Sequence, residues 1–339
     1  MGLLSERAGL VALALLVVAI LRKRVAPRLP KRLVELRALP AGQQPLFKRR
    51  YLQIPGPEPL WLYYHVWRPE GKPRGAVFIA HGLGEHILRY TWVAEFLTAR
   101  GLVVMGIDHA GHGQSEGARL PYFPDDTKFH SDNLLAFVDL RLAEDFGADA
   151  ATLPKFLLGH SMGGCVAITA GRAAGRRWSG VVLSAPLCGN NVEEDLPAPL
   201  HGPIRQVVEV LAAVIPTVPI VPPFEGGALT ADEYMYTQYL QDPLNHKGGV
   251  SLAVARGTNR GVQDNWLHCK DFVAPVLVVH GDKDKIVPIA PAKRWLEACG
   301  STDKYFEVFE GANHEVFNEV EAIRTRAAKF VTDWIVQRI

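Results

Sequence analysis

A serine between two glycines, in Gly159-His160-Ser161-Met162-Gly163, is the stretch whose residue types most directly suggest chemistry. The apolar residues 156–158 before it are typical of a buried strand, and residues 165–174 after it have a helical pattern. A G-x-S-x-G turn between a strand and a helix holds the serine hydroxyl above the sheet, beside N–H groups that can stabilise an oxyanion. A chance glycine-serine loop would lack this strand and helix. The pattern therefore predicts Ser161 as the nucleophile of an acyl transfer.

A serine hydroxyl needs a base, and the base needs an acid to orient it. In this arrangement the three residues follow in the order Ser, Asp or Glu, His, each after a strand. Residues 276–280 predict a strand that leads to Asp282 and Asp284, and residues 305–309 predict another that leads to His314. His314 is therefore the predicted base. Asp282 and Asp284 lie in the same loop, and the residues alone leave the choice of acid open.

An acyl-transfer site also needs two donors for the oxyanion that forms on the carbonyl. The residue after the nucleophile supplies one through its backbone, so we expect the N–H of Met162 to donate. The second donor is expected in the glycine-rich loop at residues 81–84, which follows the predicted strand at 75–80.

Strands and helices must alternate to position these loops, and they do so along most of the chain. Strands are predicted at 60–67, 75–80, 103–107, 156–158, 181–184, 276–280 and 305–309. Such alternation predicts an α/β fold with a mostly parallel central sheet and helices on both faces.

The stretch from about 188 to 270 interrupts this alternation, because it contains many prolines, one apolar helix at 204–214 and no predicted core strand. A structureless loop of that length is uncommon in a compact domain, so we predict an inserted cap over the active site. Its apolar run at 212–221 is interpreted as an acyl-chain slot or a surface that contacts membrane.

Four blocks, at residues 81–86, 111–117, 159–164 and 311–314, carry a family resemblance. They resemble the monoacylglycerol lipase group of the α/β-hydrolases, the hydrolase-4 or serine aminopeptidase S33-like family, over about residues 48–339. The resemblance implies an α/β-hydrolase fold, Asp284 rather than Asp282 as the acid, and the N–H of Leu83 as the second oxyanion donor.

The same resemblance implies which residues hold the alcohol end of the substrate. Glu85, Arg89 and Tyr239 match the family's positions for this role. A histidine three residues beyond the catalytic one also belongs to that polar end, and here the position is Phe317. We therefore expect a more apolar alcohol side, which makes lysophospholipids and other lipid esters plausible substrates.

The N-terminus holds an unbroken apolar run of fourteen residues at 8–21. As a helix it spans roughly 21 Å, less than the ~30 Å hydrocarbon core. Basic residues at 22–24 occupy the place of a signal-peptidase site, and the fold needs no buried helix here. We favour a short membrane anchor, with an organelle-targeting segment as the alternative. The seven basic residues against one acid that follow predict a cytosolic catalytic domain and contact with anionic lipid.

The predicted organisation is thus an anchor or targeting segment at 1–25, a proline-rich linker at 26–47 and a hydrolase domain at 48–339. The net charge of +2 among 339 residues does not suggest a nucleic-acid partner. Four widely spaced cysteines make a metal site or disulfide framework improbable, and the chemistry needs no cofactor.

The function predicted from the sequence is a membrane-associated serine hydrolase of monoacylglycerols or similar single-chain lipid esters. Two alternatives stay open. The enzyme could be a lysophospholipase or another carboxylesterase, or the chain could be a ligand receptor that keeps the catalytic residues without turnover.

Overall fold

The computed structural model describes residues 51–54, 60–173, 178–190 and 194–339. The predicted N-terminal segment at 1–25 and the linker at 26–47 lie outside these residues. The described strands are β1 (Tyr51–Ile54), β2 (Leu60–Trp67), β3 (Gly75–Ala80), β4 (Leu102–Ile107), β5 (Lys155–His160), β6 (Gly180–Ser184), β7 (Pro219–Val221), β8 (Val250–Ser251), β9 (Val276–Gly281) and β10 (Lys304–Phe309).

The described α-helices connect these strands or lie in the cap. They are α1 (Thr91–Thr98), α2 (Lys128–Phe146), α3 (Met162–Gly171), α4 (Ala198–Val214), α5 (Gly226–Leu229), α6 (Glu233–Gln241), α7 (Leu252–Leu267), α8 (Ile289–Ala298) and α9 (Glu321–Val336). Short 3-10 helices occur at Ile87–Tyr90, Gly147–Ala151, Cys269–Asp271 and Val316–Asn318.

The main sheet has eight strands in the order β1-β2-β4-β3-β5-β6-β9-β10. β2 pairs antiparallel with β1 and β4, and the remaining neighbours pair in parallel. The central strand β3 is buried along its whole length, as expected for a parallel strand covered on both faces. Phe78 packs into one core cluster, and Val77 and Ile79 pack into the other, so each face of the sheet has its own apolar layer. The predicted α/β-hydrolase architecture is confirmed.

The cap elements lie between β6 and β9, and β6 and β9 are themselves neighbours in the sheet. The insertion therefore leaves the order of the parallel strands undisturbed. Within the cap, α7 contacts both α4 and α3. Arg260 of α7 pairs with Glu209 of α4, and the side-chain amide of Asn265 donates to the carbonyl of Cys165 at 2.9 Å. These contacts fasten the cap to the helix that follows Ser161.

The cap helix predicted at 204–214 begins earlier, at Ala198. The added turn includes Pro203, although proline generally disfavours a helix interior. Pro203 lies inside α4 but in its exposed N-terminal part, where solvent can satisfy the carbonyl that loses its partner. No helix in the described part of the chain is long and apolar enough to cross a membrane.

Candidate active site

The turn between β5 and α3 gives Ser161 an unusual backbone, with φ 54° and ψ −120°. Neighbouring positions have no room for side chains. A Cβ on Gly159 would lie 2.3 Å from the carbonyl oxygen of Gly163, and one on Gly163 would lie 2.1 Å from that of Ala80. Glycine is therefore required at both positions, because α3 approaches β5 at Gly159 and the end of β3 at Gly163 too closely for a methyl group. This packing projects Ser161 from the sheet into a cavity.

The two residues expected to supply the oxyanion donors, Leu83 and Met162, both lie near Ser161. Met162 is the first residue of α3, so the helix offers its N–H no partner four residues back. Leu83 belongs to the loop after β3, which runs close to the serine, since a Cβ on Gly82 would lie 3.4 Å from the Cβ of Ser161. Leu83, Met162 and Ser161 line the same cavity.

His314 lies in the loop after β10, and its Nδ1 is 2.7 Å from Oδ2 of Asp284. Oδ1 of Asp284 accepts hydrogen bonds from the N–H groups of Ile286 and Val287, at 2.8 and 3.0 Å. Asp282 is exposed and instead accepts the N–H of Gly311 at 2.6 Å. Asp284 is thus the aspartate in contact with His314, and Asp282 closes the adjacent turn.

The electrostatics of this pair favour an ion pair inside the protein. Burial opposes ionisation of both groups, yet the Asp284 carboxylate raises the pKa of His314 above its ordinary value. In return, His314 and the hydrogen bonds from both neighbouring imidazoles hold the pKa of Asp284 far below its ordinary value, despite burial. His314 faces the cavity that Ser161 lines, and its ring centroid lies 4.7 Å from that of His160. The side chain of His160 donates from Nδ1 to the backbone carbonyl of Ser184 at 3.1 Å.

A buried ionic cluster forms the polar corner of the cavity. Arg89 donates from Nη1 to Glu85 at 2.8 Å, and it contacts Glu315 through both Nη atoms at 2.8 and 2.7 Å. Burial alone would raise the pKa of Glu315, but Arg89 lowers it to about 2. Glu85 also accepts the hydroxyl of Tyr90 at 2.6 Å and the N–H of Gly82 at 2.5 Å. The cluster therefore braces the loop that carries Leu83.

The cap reaches this corner through Tyr239 of α6. The guanidinium carbon of Arg89 lies 5.2 Å from the centre of the Tyr239 ring, and the Tyr239 hydroxyl donates to the carbonyl of His246 at 2.7 Å. Asp242 at the end of α6 pairs with His86 at 2.7 Å. The three residues expected near the alcohol end, Glu85, Arg89 and Tyr239, thus lie together.

The cavity has a volume of about 550 Å³ and is mostly apolar. Ser161, His314 and the ionic cluster lie at one end, and the cap supplies much of the remaining wall. The apolar cap residues that line it are Ile204, Val208, Ile220, Val221, Pro222, Pro223, Phe224, Leu229, Val250, Val254 and Val262. Such a shape accommodates an extended hydrocarbon chain whose polar end lies beside the serine.

The apolar run at 212–221 divides between the two roles expected for it. Ile220 and Val221 line the cavity at its open side, where they are 48% and 38% exposed. Ile215 and Val218 lie on the cap surface and are each 41% exposed. Together with Val207 and Val210 of α4, which are 56% and 64% exposed, they give the cap an unusually apolar outer surface.

The expectation that Phe317 makes the alcohol side apolar is wrong. Phe317 is buried in the core cluster under the sheet and does not line the cavity. Its backbone belongs to the 3-10 helix Val316–Asn318, which turns the side chain inward. Glu315 occupies the polar corner instead.

Sequence reasoning missed two residues of this site, Glu315 and His280. Glu315 directly follows His314, but no motif marks it, since its partner Arg89 is 226 positions away. The sequence predicts His280 only as the last residue of the strand at 276–280. Its signal is the spacing of four residues to Asp284, which lets both side chains meet in the turn after β9, where they lie 3.0 Å apart.

This fold and site define the class as an α/β-hydrolase. A family model described as serine aminopeptidase, S33, of the hydrolase-4 type, matches residues 71–321. A monoacylglycerol lipase of Mycolicibacterium smegmatis is 35% identical over 280 residues, which cover 82% of this chain and 94% of the relative. The human monoglyceride lipase is 29% identical over the same share of this chain and 88% of its own. The crystal structure of a Paleococcus ferrophilus monoacylglycerol lipase is 25% identical, covers 82% of this chain and 99% of its own, and superposes with a TM-score of 0.68.

The chain belongs to the hydrolase-4 family of α/β-hydrolases. It is a carboxylic ester hydrolase that acts on lipid esters.

Proposed function

We propose that this protein hydrolyses monoacylglycerols to fatty acid and glycerol through an acyl-enzyme formed on Ser161. The observation that carries the proposal is the cavity, which joins a long apolar wall to one polar corner beside Ser161 and His314. Several relatives named above are monoacylglycerol lipases, which supports the same substrate.

In the proposed mechanism His314 removes the proton of Ser161 while Oγ attacks the ester carbonyl. The N–H groups of Leu83 and Met162 stabilise the oxyanion of the tetrahedral intermediate. Asp284 keeps the imidazole in the tautomer that presents Nε2 and stabilises its protonated form. His314 then protonates the departing glycerol oxygen. Water, activated by the same imidazole, releases the fatty acid and restores the Ser161 hydroxyl.

The charge balance of the polar corner favours a neutral alcohol. Arg89 already donates hydrogen bonds to two carboxylate side chains, Glu85 and Glu315. An anionic phosphate would have to displace one of them and would meet like charge in a buried site. Glycerol hydroxyls can instead donate to the carboxylate oxygens. A relative named Phospholipase YtpA, of Bacillus subtilis, is 28% identical, so a lysophospholipid is the second candidate.

An activity-based probe and an ester panel test this function. We expect a fluorophosphonate to label the wild-type chain and not Ser161→Ala. We also expect monooleoylglycerol to be hydrolysed with a kcat/KM at least tenfold above that of lysophosphatidylcholine or lysophosphatidate. Preferred turnover of a lysophospholipid would replace the substrate and keep the mechanism. Labelling without turnover of any ester would indicate the receptor alternative, and an active Ser161→Ala variant would refute the nucleophile.

We further propose that the protein is attached to membrane by residues 8–21, with the catalytic domain in the cytosol and the apolar cap surface in contact with lipid. The apolar run and the basic residues after it support the first part. The exposed Val207, Val210, Ile215 and Val218 support the second.

Sedimentation with lipid vesicles tests both attachments. The full chain should stay bound in high salt, because an inserted apolar segment is held by the hydrophobic effect rather than by charge. A chain without residues 1–40 should keep its kcat on a short soluble ester and bind vesicles weakly through the cap. Release of the full chain by salt alone would exclude the anchor. A mature protein that lacks the segment would favour the targeting alternative.

A further inference from the structure

His280, at the end of β9, makes a contact that the proposed mechanism does not yet use. Its ring is fully buried, and its Nε2 lies 3.0 Å from Oδ2 of Asp284. The Nδ1 atom of His314 lies 2.7 Å from the same oxygen. Two imidazoles therefore share one carboxylate oxygen.

The surroundings of His280 determine which nitrogen carries its proton. Nε2 lies between two acceptors, Oδ2 of Asp284 and the carbonyl oxygen of Val287, the latter at 3.1 Å. Nδ1 has no hydrogen-bond partner among the residues that the structure describes. The proton is consequently on Nε2, and His280 is a donor to Asp284. Its ring stacks against Phe306 with an interplanar angle of 9°, which fixes the direction of this donor.

Asp284 thus receives a complete set of donors. Oδ1 accepts the N–H groups of Ile286 and Val287, and Oδ2 accepts His280 and His314. A carboxylate held by four donors cannot rotate, so its plane is set before substrate binds. Each added donor also withdraws negative charge from the oxygen that faces His314.

We propose that His280 is a positioning residue for the hydrolysis: its Nε2–H holds the Asp284 carboxylate in place and moderates the charge that Oδ2 presents to His314. This inference rests on the proposed roles of Asp284 and His314 in the reaction. Without His280, the whole charge of Oδ2 would act on His314 and raise the pKa of the catalytic imidazole further. The base would then be protonated, and inactive, over a wider range of pH.

Other charged groups also face His314, and a substitution at His280 leaves them unchanged. Glu315 and Glu85 raise its pKa, and the ring of His160 lies beside it at an interplanar angle of 48°. Arg89 and Lys285 line the same cavity. A change at His280 reaches His314 through the Asp284 carboxylate, because both rings contact its Oδ2.

The test compares variants that remove the donor with one that keeps it. His280→Leu and His280→Met remove the donor and differ in shape, and His280→Gln keeps an N–H at similar reach. The pH dependence of kcat/KM is measured for the full chain on a short soluble ester. In His280→Leu and His280→Met we expect the acid limb of the pH profile of kcat/KM to move up by about half a pH unit or more, with KM little changed. In His280→Gln the limb should stay near its wild-type position. In an Asp284→Asn background the His280→Leu substitution should no longer move the limb.

The proposal would be overturned if the acid limb did not move in a folded His280→Leu or His280→Met variant, or if it moved equally in His280→Gln. The wild-type protein provides a check that does not depend on folding of any variant. In nitrogen-15 NMR of the histidine rings, His280 should carry its proton on Nε2 alone, and a proton on Nδ1 would overturn the proposal. Failure of the mechanism itself is distinguishable, because wild type would then show neither labelling nor hydrolysis.

Discussion

At the scale of the residue, the site depends on which of two neighbouring aspartates contacts His314. The side chain of Asp284 is buried and contacts His314, whereas Asp282, two positions earlier, is exposed and accepts a hydrogen bond that closes a turn. The two aspartates have the same chemistry and differ only in the direction that the loop gives them. Their substitution should therefore have very different consequences.

We expect Asp284→Asn to lower kcat by two orders of magnitude or more, because the amide cannot stabilise protonated His314 and favours the wrong tautomer. Asp282→Asn should change kcat less than about threefold, since it loses only part of a turn hydrogen bond. Steady-state kinetics on a short soluble ester gives both numbers, and melting temperatures show whether each variant folds. Equal losses in the two variants would refute the assignment of the acid.

A second expectation at this scale concerns the shared role of Ser161 and His314. Ser161→Ala and His314→Ala should each remove nearly all hydrolysis, and the double variant should be little worse than either, because the two residues act as one unit. Losses that multiply in the double variant would contradict this. Hydrolysis rates are compared for purified variants whose tryptophan fluorescence and melting temperature match those of the wild type, so that each is shown to be folded.

At the scale of the element, the cap carries two apolar surfaces that the fold separates. Ile220 and Val221 of β7 face the cavity, and Val207 and Val210 of α4 face outward. The difference follows from helix geometry, since Ile204 and Val208 are four positions apart on the cavity side of α4 and leave their neighbours on the other side. The two surfaces can therefore be altered independently.

We expect Ile220→Ser with Val221→Thr to lower kcat/KM for a long-chain monoacylglycerol about tenfold, since ~1.4 kcal/mol of lost apolar contact corresponds to that factor. A short acetate ester should lose less than about twofold, because it has few methylenes to bury. The matched control, Val207→Ser with Val210→Ser, should leave soluble-substrate kinetics unchanged and weaken vesicle binding. Equal losses on long and short esters would show that β7 has only a structural role.

At the scale of the whole molecule, buried histidines make stability depend on pH. Burial, with some repulsion between neighbouring rings, lowers the pKa of five of them, to about 4 for His112 and His160. The five are His81, His109, His112, His130 and His160. His81 and His109 are held together behind the loop of Leu83, where the backbone N–H of His109 donates to Nε2 of His81 at 2.8 Å. The native fold keeps these rings neutral.

The unfolded chain protonates such rings near pH 6.5, so below that pH it binds more protons than the native state. The free energy of unfolding should therefore fall on acidification from about pH 6.5 to 4.5, by up to ~1.4 kcal/mol per pH unit for each ring. Two groups oppose the trend, His314 and Asp108, because the pKa of each is raised in the fold, that of Asp108 by burial to about 6. The lowered pKa values of Asp284 and Glu315 add to the loss only nearer pH 4.

Urea unfolding at a series of pH values measures this dependence. His130→Phe removes one of the five rings at a site away from Ser161, and the slope should decrease by about one proton's contribution. A free energy of unfolding that is constant or rises on acidification in this window would contradict the expectation, whatever the absolute stability of the variant.

The sequence by itself determined the features that follow from local geometry. Ser161 lies where β5 turns into α3, and Asp284 and His314 lie just after β9 and β10. These positions could be predicted because a few consecutive residues determine each of these turns. Family resemblance was needed to choose Asp284 over Asp282. The outcome of that choice is visible in a 2.7 Å contact with His314.

Only the tertiary structure decided the contacts that join distant parts of the chain. Glu315 meets Arg89 across 226 positions, because the sheet order brings the loops after β3 and β10 to the same edge. Phe317 turns into the core while Glu315 reaches the cavity, although both follow His314 within three residues. Residue type sets what a side chain can do, but its direction depends on packing against elements that no local pattern encodes.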